Sequence, residues 1–406
     1  MNTPLPSGLA RLFPGVPAAA LFLMIAQAAM QLSWAAWWSL LNNFAVEVVQ
    51  TTGSQYGLQQ SIREIPGLLT VTVVLWLLVM REQTLALVAL ALQGIGIAVT
   101  GYFTSLTGFF LTTIVLSFGF HYYEAMQQSL ALQWLDRRET PVWLGRIVAV
   151  GACAQLAAYA LVFVGFRTLA VGYATAFAVA GALTLAATLV LALGFPRFPQ
   201  AVQQRRTVVL RRRYWLYYAL TFMHGARRQI FTVFASFMMV AVFKFAVHEV
   251  ALLFLVNCVF NMAFAPKLGA LIARLGERWA LTVENVLLLF VFVGYAIVQS
   301  PWIAAVLYII DGASMTLGIA IRTYLQKIGD VADMASTAGV GTSVNHIAAV
   351  FIPAGLGLVW VVRPDLVFYI GAGFALVSLA LARLIPLVPA PGHESTLARP
   401  VPQAAE

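Results

Sequence analysis

Long apolar stretches alternate with short polar connections along almost the whole chain. A helix needs about 20 mostly apolar residues to cross the hydrocarbon core of a bilayer, and about twelve stretches reach that length. They lie near residues 17–41, 57–79, 83–101, 107–133, 145–166, 169–194, 214–242, 249–271, 280–298, 302–325, 336–360 and 366–388. The pattern therefore predicts an all-α integral membrane protein with about twelve transmembrane helices.

The composition excludes a water-soluble fold. Of the 406 residues, 61% are hydrophobic and 10% are charged, whereas a soluble domain carries about 25% charged residues. The formal net charge is +9, but the basic residues are not interleaved with aromatic residues, so we expect no nucleic-acid partner. Cys153 and Cys258 both lie in apolar stretches, which indicates packing rather than a disulfide or a metal site. We expect no metal and no cofactor.

The first apolar stretch begins like a secretory signal peptide. Arg11 precedes it, and Ala26-Gln27-Ala28 resembles a cleavage site. The stretch continues to Leu41, however, which is too long for the apolar part of a signal peptide. We therefore predict an uncleaved first transmembrane helix.

One long polar connection follows the sixth apolar stretch. Residues 196–213 contain prolines, glutamines and several arginines, which predicts a cytoplasmic basic linker. It separates an N-terminal six-helix bundle, residues 1–195, from a C-terminal six-helix bundle, residues 214–388. Residues 389–406 are rich in Pro and Ala and predict a disordered tail.

The basic residues predict the orientation in the membrane. Cytoplasmic loops carry an excess of Lys and Arg. With both termini in the cytoplasm, the outside loops keep Arg167, Lys244 and Arg363. The basic residues at cytoplasmic ends are then Arg81, Arg137, Arg138, Arg146, Arg197, Arg205, Arg206, Arg211, Arg212, Arg213, Lys267, Arg274, Arg278, Arg322 and Lys327. We predict a cytoplasmic (inner) membrane protein whose basic ends contact anionic membrane lipids.

The connection after the eighth stretch combines glycine with arginine. Residues 265–279 include Gly269, Arg274, Gly276 and Arg278, which predicts a tight basic turn where two helix ends approach closely. The spacing Gly269-x-x-x-x-Arg274-x-Gly276-x-Arg278 resembles the loop signature of the major facilitator superfamily. In that family the loop follows the second helix of each six-helix half.

The resemblance implies a fold and a mechanism. Members of this superfamily consist of two pseudo-repeated six-helix bundles with the substrate cavity between them, and they work by alternating access. One departure is Ala273, which stands where the signature usually has an aspartate. The sequence has no ATPase phosphate-binding loop, so ATP is not expected to be the direct energy source. The implied protein is a secondary transporter, not an enzyme, and we expect a monomer.

Charged side chains deep in a bilayer are costly and mark functional candidates. In the fourth stretch, His121, Glu124 and Gln128 share one helix face, and His121 with Glu124 suits a proton relay; a His–Glu hydrogen bond that only joins helices is the alternative. In the second stretch, Arg63 and Glu64 are adjacent and diverge by about 100°. We predict that one faces the cavity while the other pairs with a neighbouring helix, for gating or as an inter-helix ion pair.

The seventh stretch carries His224, Arg227 and Arg228 near its middle. Arginine stays charged and binds carboxylate or phosphate groups through paired hydrogen bonds. We therefore predict that this segment binds a substrate anion; a purely structural ion-pair network is the alternative. Asp311, in the tenth stretch, is the predicted partner of one of the arginines, with Glu124 as another candidate.

Three uncharged or titratable residues complete the predicted substrate site. Asn345 and His346 lie in the eleventh stretch, and Gln31 lies in the first. Such side chains also join helices by hydrogen bonds, and that role remains the alternative. Glu284 lies close to the end of its stretch, so we predict an interfacial residue paired with Arg278.

Together these features predict a secondary active transporter for a small solute, an organic anion or a polar metabolite, coupled to protons. Two other functions remain open. The acidic residues and the aromatic content also fit proton-driven efflux of amphipathic or cationic drugs. A non-transporting membrane receptor or assembly factor with a transporter-like fold is the third possibility, and a transport assay separates it from the others.

Overall fold

The computed structural model describes residues 15–135, 139–198, 210–330 and 334–397. Arg137, Arg138, residues 199–209 of the predicted linker and residues 398–406 of the predicted tail lie outside these ranges. The helices of the first part are α1 (Ala18–Asn43), α2 (Gly53–Leu68), α3 (Val73–Trp76), α4 (Glu82–Thr100), α5 (Leu106–Trp134), α6 (Thr140–Thr168) and α7 (Tyr173–Gly194). Those of the second part are α8 (Trp215–Gln229), α9 (Ser236–Ala241), α10 (Val247–Leu275), α11 (Glu277–Ile297), α12 (Pro301–Ser314), α13 (Ile319–Ile328), α14 (Met334–Val362) and α15 (Pro364–Arg383).

Several spans change helical pitch within their length. The described residues include two π-helical segments, Phe44–Val48 after α1 and Ile230–Ala235 between α8 and α9. Tighter 3-10 turns join α2 to α3 at Leu69–Thr72 and α12 to α13 at Met315–Gly318. The first of these turns begins at Leu69, shortly after Pro66 and Gly67. Proline disturbs an α-helix because it cannot donate the backbone hydrogen bond that continues it.

The predicted all-helical membrane fold is confirmed. Among the described residues, ten helices are long and apolar enough to cross a membrane. Apolar side chains point outward from them, as Leu193 and Trp302 do with 79% of their surface exposed. The predicted second and seventh spans are also helical but are not among the ten. The second span contains the ion pair of Arg63 and Glu64, and the seventh contains Arg227 and Arg228; these charged residues lower the hydropathy of both spans. The total of about twelve spans therefore remains a prediction.

The described chain forms two compact units. Unit 1 contains residues 15–51, 62–198 apart from 136–138, and 245–258. Unit 2 contains residues 52–61, 210–244 and 259–397 apart from 331–333. Compared with the predicted bundles, the first residues of α2 therefore belong to unit 2 and the first residues of α10 belong to unit 1. The predicted bundle boundaries themselves remain a prediction.

Small residues bring helices of unit 1 into close contact. A β-carbon at Gly119 of α5 would lie 2.5 Å from the Ala89 carbonyl oxygen of α4. A β-carbon at Gly96 of α4 would lie 2.6 Å from the backbone nitrogen of Leu116. Glycine allows this approach because it has no side chain, and small residues at helix interfaces are typical of membrane bundles. Gln93 of α4 then reaches α1 and donates to the Met30 carbonyl at 3.0 Å.

Unit 2 contains a proline inside a long helix. Pro353 lies within α14, where it interrupts the backbone hydrogen-bond ladder. The next backbone N–H, that of Ala354, donates to the Ser61 hydroxyl of α2 at 2.9 Å. A β-carbon at Gly57 would lie 3.0 Å from the α-carbon of Gly357. Glycines on both helices thus let the first turns of α2 pack directly against the broken segment of α14.

The connection between α10 and α11 is shorter than predicted. Gly269 and Arg274 were expected in a turn, but α10 continues to Leu275, and α11 begins at Glu277. The turn is therefore Gly276 alone, with φ +89° and ψ 162°. Helix α10 continues because backbone N–H and C=O groups near the membrane find their hydrogen-bond partners most readily within a helix. Arg278 lies in the first turn of α11, and Glu277 pairs with Lys327 of α13 at 2.8 Å.

We expect Gly276→Ala to lower the free energy of unfolding by about 2 kcal/mol, because this backbone conformation is almost restricted to glycine. Gly269→Ala is the matched control, since Gly269 lies inside α10 and a β-carbon added there would meet no atom within 4 Å. The measurement is unfolding of the purified protein in mixed micelles. An equal effect of the two substitutions would contradict this account of the turn.

Residues 389–397 are the part of the predicted tail that the structure describes, and the disorder of the tail remains a prediction. This segment folds back on unit 2, where the Tyr324 hydroxyl donates to the Glu394 carbonyl. The Thr396 N–H donates to the Leu384 carbonyl at 2.8 Å. Glu394 is buried and accepts a hydrogen bond from the Gly392 N–H. These hydrogen bonds offset conformational entropy that this segment loses when it is ordered. The Pro- and Ala-rich composition by itself does not indicate them.

Candidate functional site

The helix that carries the predicted anion-binding residues is discontinuous. Arg227 and Arg228 occupy the last turn of α8, and the π-helical segment Ile230–Ala235 begins directly after Gln229. The Thr232 hydroxyl donates to the Arg228 backbone carbonyl at 2.8 Å. The wider pitch of the π-helical segment changes the backbone hydrogen-bond pattern here, and the hydroxyl supplies a donor for this carbonyl. Single π-turns inside helices occur frequently at functional sites. Interrupted helices also form the binding sites of many transporters.

Arg227 belongs to a buried ion-pair cluster of unit 2. Its side chain is 1% exposed, and Nη1 lies 3.5 Å from Glu284 Oε1 on α11. The imidazole Nδ1 of His224 lies 3.6 Å from the same oxygen. Glu284 was expected at the membrane interface beside Arg278, and that prediction is wrong because Glu284 is fully buried. Arg227 thus has a carboxylate partner that the sequence did not identify.

Asp311 lies in the same cluster without making a close ion pair to α8 within the described residues. Its side chain is fully buried near the end of α12, before the 3-10 turn. Arg227 and Tyr295 are its polar neighbours. Asp311 therefore lies near a seventh-span arginine, as expected, but Glu284 makes the closer contact with Arg227.

Arg228 points to a different environment from Arg227. It is half-buried, and its Nη2 donates to Asn345 Oδ1 of α14 at 2.9 Å. Gly225 permits this contact, because a β-carbon there would lie 3.3 Å from the Asn345 carbonyl oxygen. His346 follows on α14 and is also half-buried. The structure thus brings Arg228 and Asn345 together, as two of the predicted substrate-binding residues.

The sequence predicted that the side chains of Arg63 and Glu64 point apart, but in the structure they form an ion pair. Arg63 Nη2 lies 2.5 Å from Glu64 Oε1, and both side chains are buried. The long arginine side chain spans the angle between adjacent positions, so backbone direction alone did not decide the pairing. The guanidinium also lies 4.9 Å from the ring centre of Trp38 and 5.8 Å from that of Trp34, a cation–π arrangement.

His121 and Glu124 lie in unequal surroundings although they are one turn apart on α5. His121 is 6% exposed, and its ring packs edge-on against Phe120 at 5.0 Å. Glu124 is exposed. Gln31, on α1, is half-buried beside Gly151 of α6. The proton-relay and substrate-binding roles of these three residues remain predictions.

Glu284 and Tyr295 are the residues that sequence reasoning missed. The signal was present in their spacing. Glu284, Leu288, Val291 and Tyr295 recur at intervals of a helical turn, and all four are buried. A carboxylate in register with an apolar face is an indication of a buried ion pair rather than of an interfacial residue.

Comparison with known proteins identifies the family. The family model described as Major Facilitator Superfamily matches residues 19–353. No curated protein matches the chain in sequence. A solved structure of a mutant form of the nucleoside transporter NupG is 17% identical with a TM-score of 0.74, covering 90% of this chain and 98% of its own.

Two further solved structures share the fold. A bacterial homologue of the human lysosomal transporter Spinster is 12% identical with a TM-score of 0.70, covering 89% of this chain and 95% of its own. An auto-inhibited peptide transporter of the POT family is 13% identical with a TM-score of 0.70, covering 90% and 95%. Because the family model matches well over half of the residues and these structures share the fold, the chain belongs to the major facilitator superfamily and is a multi-pass membrane transporter, not an enzyme.

Proposed function

We propose that this protein moves a small organic anion, or a polar metabolite that bears an anionic group, by alternating access across the cytoplasmic membrane. Transport is coupled to protons, and both termini lie in the cytoplasm. The observation that carries the proposal is that two adjacent arginines have different surroundings. Arg227 is buried against Glu284, whereas Arg228 is half-buried beside the neutral amide of Asn345.

The contact with Asn345 supports a binding role for Arg228. The Asn345 amide oxygen accepts from one N–H group of the guanidinium and so fixes its orientation. A guanidinium has five N–H donors, and two parallel N–H groups match a carboxylate or phosphate. His224, with 20% of its side chain exposed, lies one turn before Arg228 on α8 and is a second donor for the same anion. Arg227 and Asp311 are too deeply buried to touch a solute in the conformation described.

Proton coupling is supported by titratable groups in both units. Glu124 and His121 remain the predicted relay on α5, and the buried carboxyls of unit 2 provide further protonation sites. The loop signature also takes part in the proposed conformational change, through Gly269, Arg274, Gly276 and Arg278. In this role, the single-residue turn at Gly276 links α10 tightly to α11.

The test is a thermal-shift screen of the purified protein with carboxylates, phosphorylated metabolites, sugars, amino acids and lipophilic cations. A ligand at about 100 times its Kd stabilises a protein by about 2.7 kcal/mol. We expect an anion to stabilise the wild-type protein and Arg228→Gln to weaken its binding about 10- to 100-fold, as loss of a charged hydrogen bond does. Arg383→Gln, which removes an exposed arginine at the end of α15, is the control.

Other outcomes of the screen favour the other functions. Stabilisation by lipophilic cations that is unchanged in Arg228→Gln would contradict the anion site and favour drug efflux. The aromatic cluster of Trp34, Trp38 and Phe120, in which Trp34 and Phe120 stack at 3.9 Å, is the feature of unit 1 that fits such compounds. A ligand that binds but is not moved by reconstituted protein would favour the non-transporting receptor.

A further inference from the structure

We propose that Cys153 and Cys258 form a reversible disulfide that ties α6 to α10, made by exchange with a small uncharged disulfide compound. The sequence indicated packing for each cysteine separately, because both lie in apolar stretches. The structure places them on different helices of the same compact unit, unit 1. The bond itself is independent of the transported solute, whereas its effect on movement rests on the proposed alternating access.

Helices α6 and α10 contact each other through aromatic side chains. The ring centre of Tyr159 lies 5.6 Å from that of Phe254, and the ring centre of Phe163 lies 6.1 Å from that of His248. From the second contact to the first, residue numbers decrease along α6 and increase along α10. The two helices therefore run antiparallel, and these contacts define the register between them.

This register places the two thiols at the same level. Cys153 lies ten residues before Phe163, and Cys258 lies ten residues after His248. With a rise of 1.5 Å per residue, each thiol is about 15 Å along its helix from the contact between those rings. Cys153 is accordingly an electrostatic neighbour of Cys258.

The residues next to Cys153 are small. Ala152 and Ala154 flank it on α6, and small residues let helices approach closely in a membrane. A disulfide requires the α-carbons of its cysteines to be about 4.4–6.8 Å apart. Small neighbours on α6 therefore favour an approach of α10 that is close enough for the bond.

Exposure gives the two cysteines different roles in the exchange. Both thiols are free; Cys153 is exposed, and Cys258 is half-buried. The Cys153 thiolate attacks one sulfur of the disulfide compound and expels the other half as a thiol, which leaves a mixed disulfide. The Cys258 thiolate then attacks the Cys153 sulfur and expels the second half. The cysteine pair is oxidised, the compound is reduced, and the two cysteine protons end on the two released thiols.

The bond limits the movement on which alternating access depends. Helix α6 belongs to the predicted N-terminal bundle, and α10 belongs to the predicted C-terminal bundle. A covalent link between Cys153 and Cys258 prevents these two helices from separating at that level. An added thiol reverses the exchange, so the bond acts as a redox-dependent stop.

Reaction of the reduced, purified protein with 4,4′-dithiodipyridine tests the proposal without any transported solute. Each attack on this compound or on its mixed disulfide releases one thiopyridone, which is counted by its absorbance. The chain contains two cysteines, and we expect two thiopyridones per chain with no pyridyl adduct left in the intact-protein mass spectrum. Cys153→Ala and Cys258→Ala are the matched controls. Each keeps one cysteine, so each should release one thiopyridone and retain one adduct.

The result for the wild-type protein decides the inference even if a variant fails to fold. A chain that keeps an adduct on either cysteine, a chain that releases no thiopyridone, or a bond that joins two chains would overturn it. An internal bond that dithiothreitol reverses supports it.

Amide hydrogen exchange tests the effect on movement. We expect exchange in α6 and α10 to be slower in the bonded protein and to recover after dithiothreitol. Unchanged exchange would contradict the restriction of movement. Because neither measurement follows an anion, a protein that forms the bond but transports no anion would contradict the proposed function and leave the disulfide standing.

Discussion

Glu284→Leu is expected to lower the free energy of unfolding by about 3–5 kcal/mol, because it leaves the buried guanidinium of Arg227 without its close carboxylate partner. The pair is inside unit 2, with Arg227 1% and Glu284 0% exposed. Water cannot replace the lost contact at that depth. The measurement is equilibrium unfolding of the purified protein in mixed micelles, followed by circular dichroism.

A double substitution separates the cost of an unpaired charge from the value of the pair. In Arg227→Met combined with Glu284→Leu, both charges are removed, and we expect most of the lost stability to return. Glu277→Leu is the matched single control. Its partner Lys327 is 44% exposed and can turn to water, so the expected effect is at most about 1 kcal/mol. If Glu284→Leu cost no more than Glu277→Leu, the buried pair would not contribute as described.

Gly119→Ala is expected to destabilise the protein by about 3 kcal/mol, the upper part of the range for inserting atoms into a packed interior. The new β-carbon would meet backbone atoms of Ala89 and Gln93 on α4, and backbone atoms cannot rotate away as a flexible side chain can. The two helices must separate. That movement also strains the Gln93 hydrogen bonds to the Met30 carbonyl and the Ser33 hydroxyl of α1.

Gly145→Ala provides the control for this packing effect. Gly145 is exposed near the start of α6, and a β-carbon there meets no atom within 4 Å. Alanine is the better helix former by about 0.5–1 kcal/mol, so we expect no loss of stability. The same unfolding assay compares the two variants. Similar results for both would indicate that α4 and α5 are not held together by the close approach at Gly119.

The pair Arg63 and Glu64 illustrates what local geometry leaves undecided. Their positions on α2 differ by about 100°, which predicted separate partners. The arginine side chain is long enough to fold back to Glu64, and Trp34 and Trp38 of α1 supply aromatic faces for the guanidinium. Side-chain length and the surroundings of the neighbouring helix together determined the pairing.

Sequence pattern alone determined the helical membrane fold, because a bilayer requires long apolar helices and makes each charge within them exceptional. It also identified Gly276 at a turn and the arginines of α8. The tertiary structure decided the extent of α10, the burial of Glu284 and the contact of Arg228 with Asn345. Those features depend on which helices are neighbours and how each is rotated about its axis. Residues far apart in the chain set both quantities, so no local stretch of sequence contains them.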